Sequence, residues 1–187
     1  MSRGGFLITR LVGIACEEIG SAPLAKLVPK LNPDEARVVL ADLDKLDAGR
    51  ITWAEVQLNE RCFMHYRRGQ LFNPIIRMLH WWEIRQAAQK AETKHKLVLA
   101  RERLLATELA LRCYQLQQGH PAARLAALAT NYLSHLPEDP FSGQPLIYRV
   151  QGTYWLLYSV GVDGVDDGGR PVGRGLISKG DLFFDSP

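Results

Sequence analysis

Cysteine is scarce in this chain of 187 residues, and its three cysteines stand far apart along the sequence. An odd number of cysteines with no CxxC pair does not make a disulfide framework. Because Cys16, Cys62 and Cys113 all lie in apolar helical patterns, we expect three buried thiols. The composition therefore excludes a fold that is stapled by disulfides.

Long apolar runs are also missing. The longest apolar stretch near the start covers residues 11–16 and is ended by Glu17 and Glu18. A membrane-spanning helix needs about 20 apolar residues. The start also lacks the basic segment and the long apolar segment of a signal peptide. We therefore expect no transmembrane segment in this chain.

Motifs of the common enzyme and cofactor classes do not occur. There is no HExxH, GxSxG, GxGxxG or Walker glycine loop. The histidines never stand three or four residues apart, so they lack the spacing of zinc ligands and we expect ordinary, partly exposed side chains. The sequence thus predicts a protein that is not an enzyme. The histidines are His65, His80, His95, His120 and His135.

Charge is unevenly distributed, although a net charge of +3 is too small to indicate a nucleic-acid binder. Residues 61–103 contain ten Lys or Arg residues and three acidic residues, whereas residues 138–187 contain four and seven. The chain is basic in its middle and acidic at its end. We expect no nucleic-acid partner, since no RNA-binding signature accompanies the basic stretch.

Trp81 and Trp82 lie inside this basic stretch. Neighbouring residues of a helix point between a quarter and a third of a turn apart, so we do not expect both rings to be fully buried. One interpretation is a helix at a partner interface or membrane surface, with Arg77, Arg85 and Lys90 near anionic lipid. The simpler interpretation puts one tryptophan in the core and leaves the basic residues in solvent.

The first part of the chain has helical patterns. Residues 6–28 carry apolar residues at helical spacing. Asn32 followed by Pro33 predicts the start of a second helix, because Asn caps and Pro suits the first helical position. We expect this helix to end near Asp47, with Gly49 as a left-handed stop.

Further helices come after it. A capping box at Thr52 and Glu55 predicts a third helix, and Asn73-Pro74 predicts the start of a fourth that includes Trp81 and Trp82. The strongest pattern is a separate helix over residues 95–118, which Gly119-His120-Pro121 ends. A short helix is expected over residues 122–133.

Helix 95–118 has a wide apolar stripe, which predicts burial on more than one side. One face is heptad-like and an adjacent face widens it. The first consists of Leu97, Ala100, Leu104, Leu111 and Tyr114, and the second of Val98, Leu105, Leu109 and Leu116.

The pattern changes after residue 137. Residues 146–150 and 154–160 are rich in β-branched and aromatic residues, and the turn between them predicts a hairpin. Residues 182–184 are a candidate third strand. Because an isolated hairpin is marginal in water, we expect the sheet to pack on the long helix. The prediction is an α+β protein, with a helical region at 1–94 and, at 95–187, the long helix, a small antiparallel sheet and a Gly/Asp-rich loop.

The segment from Asp44 to Glu55 has some features of an EF-hand loop, namely Asp, Gly49, Ile51 and Glu at the expected places. Calcium would also need side-chain oxygens at the third and fifth positions. The chain has Leu46 and Ala48 there. We therefore interpret this segment as a connection between two helices that does not bind calcium.

Residues 113–187 resemble the C-terminal half of type IV pilin-like proteins, especially the major pseudopilin of type II secretion. Bacterial proteins of the planctomycete kind share the same ending. The similarity covers about 40% of the chain, and it lies in the order and spacing of three motifs. These are the helix end Tyr114-Gln-Leu-Gln-Gln-Gly119-His-Pro121, the turn Asp139-Pro140-Phe141, and Tyr158-Ser159-Val-Gly161-Val-Asp163-Gly164.

This resemblance implies a calcium site. In pseudopilins of this type, the aspartate of the last motif and a later aspartate help to bind the ion. Asp163 matches the first, Asp181 is the best match to the second, and Asp166 and Asp167 lie between them. Clustered carboxylates suit Ca²⁺, whereas the alternative is that these Asp-Gly sequences are turns in a solvated loop.

The start of the chain is similar to a pseudopilin start at Gly5-Phe6, but Arg10 stands where these proteins have glutamate. Glu17 and Glu18 then interrupt the apolar run, so we expect neither prepilin processing nor filament assembly. An alternative is that the chain is a fragment of a longer protein that is anchored in the cell envelope.

The predicted function is that of a structural or interaction protein, which binds a protein partner or a second copy of itself. A peripheral membrane or partner-binding module that uses Trp81-Trp82 is the alternative function.

Overall fold

The protein is an α+β chain in a computed structural model that describes residues 7–67, 74–129, 131–171, 173 and 179–185. Within its helices, the side chains of residues 63–67, 74–81 and 84 are not described. The predicted fold class is confirmed. The elements are α1 (Leu7–Leu27), α2 (Pro33–Ala48), α3 (Trp53–Arg67), α4 (Pro74–Gln118), β1 (Ile147–Gln151) and β2 (Tyr154–Tyr158), with short 3₁₀ turns at Val28–Lys30 and Leu125–Leu128.

Side-chain caps begin α2 and α3, as the sequence predicts. The Asn32 side chain accepts hydrogen bonds from the backbone N–H groups of Asp34 and Glu35 at 3.1 and 2.9 Å. The Glu35 carboxylate in turn accepts from the Asn32 N–H at 3.0 Å. Before α3, the Glu55 carboxylate accepts from the Thr52 N–H at 2.8 Å. These bonds satisfy N–H groups that have no partner within the helix.

The expected left-handed stop at Gly49 is wrong. Gly49 ends α2 with φ of −83°, in the right-handed region. Its N–H donates to the Lys45 carbonyl at 3.0 Å, and the Arg50 N–H donates to Asp47 at 3.2 Å. These bonds close the helix in a tight last turn, so no left-handed residue is needed before α3.

The helices predicted on either side of residue 94 form one helix, α4, which runs from Pro74 to Gln118. No proline or glycine occurs between those two residues to interrupt it. The division at residues 94 and 95 therefore falls inside α4. Asn73, the expected cap, lies outside the described residues. Gly119, with φ of +78°, ends the helix as predicted.

The expected helix over residues 122–133 is wrong. Among the described residues of this range, only Leu125–Leu128 is helical, as a 3₁₀ turn. Arg124 before it is extended, with φ of −158° and ψ of 153°. The Ala122 carbonyl accepts a hydrogen bond from the Tyr148 hydroxyl at 2.7 Å. This contact ties the segment to β1 instead of to a further helical turn.

The second half of α4 is the centre of the core, between the N-terminal helices on one side and the hairpin on the other. Six of the nine residues on the two predicted faces are buried, whereas Leu97 and Tyr114 are half-buried and Leu116 is 63% exposed. Cys113 is buried, whereas Cys16 and Cys62 are exposed and the prediction for them is wrong. The buried apolar side chains of this half include Val98, Ala100, Leu104, Leu105, Leu109, Ala110 and Leu111.

The two strands form the predicted antiparallel hairpin, with Gln151 paired to Tyr154 across a two-residue turn. The hairpin packs on α4, and the Trp155 indole N–H donates to the Glu108 carboxylate at 2.7 Å. The predicted third strand is reduced to a single bridge, in which Leu182 exchanges two backbone hydrogen bonds with Ser159 at 2.9 and 2.8 Å.

Candidate functional site

Asp181, the predicted calcium ligand near the end of the chain, is fully buried. Its carboxylate accepts hydrogen bonds from the backbone N–H groups of Gly169 at 2.7 Å, Arg170 at 3.1 Å and Asp167 at 3.3 Å. Both carboxylate oxygens therefore face N–H donors of the glycine-rich loop. In this arrangement Asp181 takes the place of backbone partners that the loop lacks.

Asp166 lies in the same loop and is also held by protein donors. Its carboxylate accepts from the Tyr158 hydroxyl at 2.7 Å, from Arg149 at 2.8 Å and from the Gly168 N–H at 2.9 Å. These bonds, the one from Tyr158 above all, lower the pKa of Asp166. Burial and the same bond raise the pKa of Tyr158 to about 12. The loop is thus pinned to both strands.

The other two predicted ligands, Asp163 and Asp167, are exposed. Asp163 makes a local turn, in which its carboxylate accepts from the Val165 N–H at 3.3 Å. In the part of the chain that the structure describes, no three His, Cys, Asp or Glu side chains form a group that could hold a metal ion. The described positions of these four aspartates fit a hydrogen-bonded loop, and calcium binding stays a prediction.

The Tyr-Ser-x-Gly-x-Asp-Gly motif has a structural explanation. Ser159 donates its hydroxyl to the buried Asp139 carboxylate at 2.9 Å, and the Val160 N–H donates to the same carboxylate at 2.9 Å. Gly161 has φ of +71°, and a Cβ atom there would lie 2.5 Å from the Gly180 carbonyl oxygen. The motif therefore joins the turn at Asp139, the end of β2 and the returning C-terminal segment.

The segment with EF-hand features is a helix end and a cap. The Glu55 carboxylate accepts hydrogen bonds from the Thr52 N–H at 2.8 Å and from the Thr52 hydroxyl at 2.9 Å. The Asp44 carboxylate accepts from the Ser134 N–H at 3.3 Å. These contacts fit the interpretation of a helix–helix connection.

α1 has two contrasting faces. Its outward face is apolar, with Ile8 74%, Val12 59% and Ile19 76% exposed. These positions belong to a series at alternating spacings of four and three residues that remains exposed along the helix. The apolar members of this outer stripe are Ile8, Val12, Ala15, Ile19 and Ala22.

The inward face of α1 carries charge and belongs to an ion cluster that sequence reasoning missed. The Arg10 guanidinium makes two bonds to the Glu17 carboxylate, at 2.8 and 3.2 Å. Arg50, from the α2–α3 connection, donates to Glu17 at 2.8 Å and also to Glu102 of α4. The side chains of Arg10 and Arg50 are only 10% and 7% exposed. These residues come from three separate segments of the chain, and no local spacing indicates that they meet.

Two titratable groups of this cluster have strongly shifted pKa values. Burial raises the pKa of Glu102 to about 7, against the opposing effect of Arg50. Burial also lowers the pKa of His95 to about 4, with Arg10 and Arg50 acting in the same direction. The His95 Nδ1 atom accepts a hydrogen bond from Arg10 Nε at 3.0 Å, as a neutral imidazole does. Burial alone would raise the pKa of Glu17, but its bonds from Arg10 and Arg50 hold it below the ordinary value.

His95 is 4% exposed, so the expectation of partly exposed histidines is wrong for this residue. Its ring stacks on Trp53 with centroids 5.5 Å apart. His120 and His135 are exposed as expected, and the side chains of His65 and His80 lie outside the described ones.

A cavity of about 270 Å³ adjoins the ion cluster, between α1, the α2–α3 connection and α4. Arg10, Glu17, Arg50 and Glu102 supply its polar wall. Leu46, Ile51 and Val56 are among its apolar lining residues.

Trp82, in the basic stretch, is 61% exposed. The side chain of Trp81 is not described, so the prediction that one tryptophan fills the core lies outside the described residues. Arg85 and Lys90 are exposed on the same helix.

Among the described helices, none combines the length and the apolar character needed to span a membrane. Comparisons of the chain with protein-family models, with curated proteins and with solved structures gave no match.

Proposed function

We propose that this chain is a non-enzymatic structural or interaction protein of pseudopilin-like type, and that the outer stripe of α1 is its contact surface. The observation that carries the proposal is the exposure of Ile8, Val12 and Ile19, at 74%, 59% and 76%. Large apolar side chains that are aligned on one exposed helix face are a common mark of protein–protein contact.

The spacing of the stripe supports a helical partner. Apolar residues that alternate at four and three residues form the seam of a two-helix contact. Ala15 and Ala22 in this seam allow a second helix to approach closely. Because the stripe matches itself, a second copy of the chain is the simplest partner, in a symmetric pair.

Three charged residues of α1, Arg10, Glu17 and Glu18, do not oppose such a contact, since their ion pairs lie away from the stripe. Arg10 and Glu17 bond to each other, and Glu18 pairs with Lys94 of α4 at 3.4 Å. No charged residue stands among the five apolar members of the stripe between Ile8 and Ala22. Between Ile8 and Ala22, two copies can therefore meet without like charges opposite each other, and the exposed Lys26 lies one turn beyond Ala22.

Sedimentation of the chain over a wide concentration range tests this proposal. We expect self-association of the wild type and a monomer for the double variant Val12→Glu, Ile19→Glu. Val38→Glu is the matched control, since Val38 is 63% exposed on α2. A wild type that stays monomeric up to about millimolar concentration, or a control that also dissociates, would contradict the assigned surface.

The proposal includes calcium stabilisation of the C-terminal loop, through Asp163 and Asp181 with Asp166 and Asp167 nearby. Its support is the pseudopilin-like order of motifs and the oxygen chemistry of the ion.

Peripheral membrane binding is a second candidate function, favoured by the 61% exposure of Trp82 next to basic residues. An exposed tryptophan on a basic helix suits the interface of an anionic bilayer. Flotation with vesicles that contain phosphatidylserine tests it. We expect binding that Trp82→Ala weakens and that neutral vesicles do not support; wild-type protein that stays at the bottom of the gradient would remove this candidate.

A further inference from the structure

Not every N–H group of the two arginines beside the cavity has a described hydrogen-bond partner. Each guanidinium group has five N–H bonds. Among the described partners, Arg10 uses one toward His95 and two toward Glu17. Arg50 uses one toward Glu17 and one toward Glu102, and its buried Nε has no hydrogen-bond partner in the described part of the protein.

Such donors are not normally left unpaired. The Arg50 side chain is 7% exposed, so bulk solvent does not reach most of it. Its Nε lies 3.7 Å from an Asp47 oxygen, within ion-pair range but beyond hydrogen-bond distance. Buried polar groups are almost always satisfied, and a guanidinium is best satisfied by an oxyanion with two oxygens.

The rest of the cavity wall is mostly apolar, with Thr9 as its remaining polar side chain. Leu46, Ile51 and Val56 face the same space of about 270 Å³. An apolar wall with a few converging polar groups is the usual form of a small-molecule pocket. The volume is below the common range for drug-sized ligands, so it suits a molecule with a short hydrocarbon part.

We propose that this cavity binds a small organic carboxylate, whose charged group bonds to Arg50 and Arg10 and whose hydrocarbon part contacts Leu46, Ile51 and Val56. The proposal goes beyond the interaction function and does not depend on it. A free phosphate shares the oxyanion chemistry but would leave the apolar wall without a partner.

The charge balance of the cluster favours one added negative charge when Glu102 is protonated. The three arginines Arg10, Arg50 and Arg103 then stand against two carboxylates, those of Glu17 and Asp47. Burial brings the pKa of Glu102 to about 7, so this state is populated near neutral pH. His95 is neutral there, and His135 lies 3.8 Å from Asp47. The groups around Glu102 are Arg10 and Glu17 of α1, Asp47 of α2, Arg50 of the connection, Arg103 of α4 and His135.

Calorimetric titration with butyrate and benzoate tests the proposal on the whole chain. The neutral amides of both acids and inorganic phosphate serve as comparison probes. We expect each carboxylate to bind about tenfold or more tightly than its amide, which is the loss expected for one charge-assisted hydrogen bond. Equal binding of acid and amide, or phosphate that binds as tightly as the carboxylates, would overturn the proposal.

Three variants locate the site. Arg50→Gln should abolish binding, and Arg37→Gln, on an arginine that is 52% exposed on α2, should not change it. Thr9→Phe keeps every charge and fills the cavity from an exposed position on α1, so it should also abolish binding even if Arg50→Gln does not fold. Carboxylate binding that survives Thr9→Phe would place the ligand elsewhere.

Glu102→Gln distinguishes the proposed site from a general affinity for anions. In the wild type, carboxylate binding should weaken as the pH rises from 6 to 8, because ionised Glu102 competes for Arg50. Glu102→Gln should remove this dependence. A wild type and a variant with the same pH profile would overturn the assignment of the ligand to Arg50.

Discussion

Ser159 donates its hydroxyl to the carboxylate of Asp139 at 2.9 Å, although the two residues stand 20 positions apart. The Phe141 and Val160 N–H groups donate to the same carboxylate, both at 2.9 Å. Asp139 is 1% exposed, and the bonds from Ser159 and Val160 are buried. The carboxylate thus links the turn after residue 137 to the end of β2.

Asp139→Ala should lower the free energy of unfolding by about 3 kcal/mol or more, because three donors, two of them in fully buried bonds, lose a charged acceptor. Glu138→Ala is the control, since that side chain is exposed. Urea unfolding measures both. Equal midpoints for the two variants would show that Asp139 does not organise the turn.

Gly161→Ala should destabilise the protein more than Gly164→Ala. Both glycines have a positive φ, +71° and +69°, so the backbone strain of an alanine is nearly equal. Only at Gly161 does the new Cβ meet an atom, the Gly180 carbonyl oxygen at 2.5 Å. The difference between the two thermal midpoints isolates that contact, and no difference would contradict the close approach of the two segments.

Leu104→Ala should lower the free energy of unfolding by roughly 2–5 kcal/mol, because Leu104 is fully buried in α4 and leaves a cavity. Leu116→Ala, on the same helix but at a residue that is 63% exposed, should change it by less than about 1 kcal/mol. Denaturant midpoints check both values. A smaller loss for Leu104 than for Leu116 would mean that the buried face of α4 is assigned wrongly.

Glu102 and His95 should give opposite pH dependences of stability. The pKa of Glu102 is raised from 4.5 to about 7. Its contribution to the free energy of unfolding therefore falls as the pH rises from about 4.5 to 7. The pKa of His95 is lowered from 6.5 to about 4. Its contribution to the free energy of unfolding therefore rises as the pH rises from about 4 to 6.5. The two trends offset each other in the wild type between about pH 4.5 and 6.5.

Glu102→Gln removes the falling trend. We therefore expect its unfolding midpoint to rise more steeply with pH from 4.5 to 6.5 than that of the wild type. Urea titrations at three pH values within this window measure the slopes. Parallel curves for wild type and variant would show that Glu102 ionises normally.

Calcium should raise the thermal midpoint of the wild type if the C-terminal loop binds it as proposed. At a calcium concentration a hundred times the dissociation constant, the free energy of unfolding should rise by about 2.7 kcal/mol. Asp163→Asn should remove most of this gain and change little in chelator, because Asp163 is exposed. Asp181→Asn should destabilise even in chelator, because its carboxylate holds three N–H groups. If millimolar calcium does not change the thermal midpoint of the wild type, the loop does not bind calcium and only its hydrogen bonds hold it.

Local signals predict most of the helix boundaries of this fold. Asn32, Thr52 and Glu55 act within three residues of their partners, so spacing alone predicts their caps. Gly119 ends α4 for a similarly local reason. The expected stop at Gly49 is wrong because a helix can also end in a tight right-handed turn, and the choice between the two depends on how the next helix packs.

Relationships across the chain are not predictable in this way. Arg10, Arg50 and Glu102 come into contact because three segments of the chain pack together. No periodicity in the sequence predicts this contact. The sequence singles out Asp163 and Asp181 by their place in the motifs, but it does not tell which carboxylate of the loop is buried. The structure separates the buried Asp181 from the exposed Asp163, and only packing makes that difference.

The 45 residues of α4 make it about 68 Å long at the usual rise per residue. A compact chain of 187 residues has a radius of gyration of about 16 Å, which corresponds to a sphere about 40 Å across. One helix therefore exceeds the diameter of the sphere that the whole chain could fill. The molecule must meet more friction in water than a sphere of its mass, and it must rotate more slowly about its short axes than about the axis of α4.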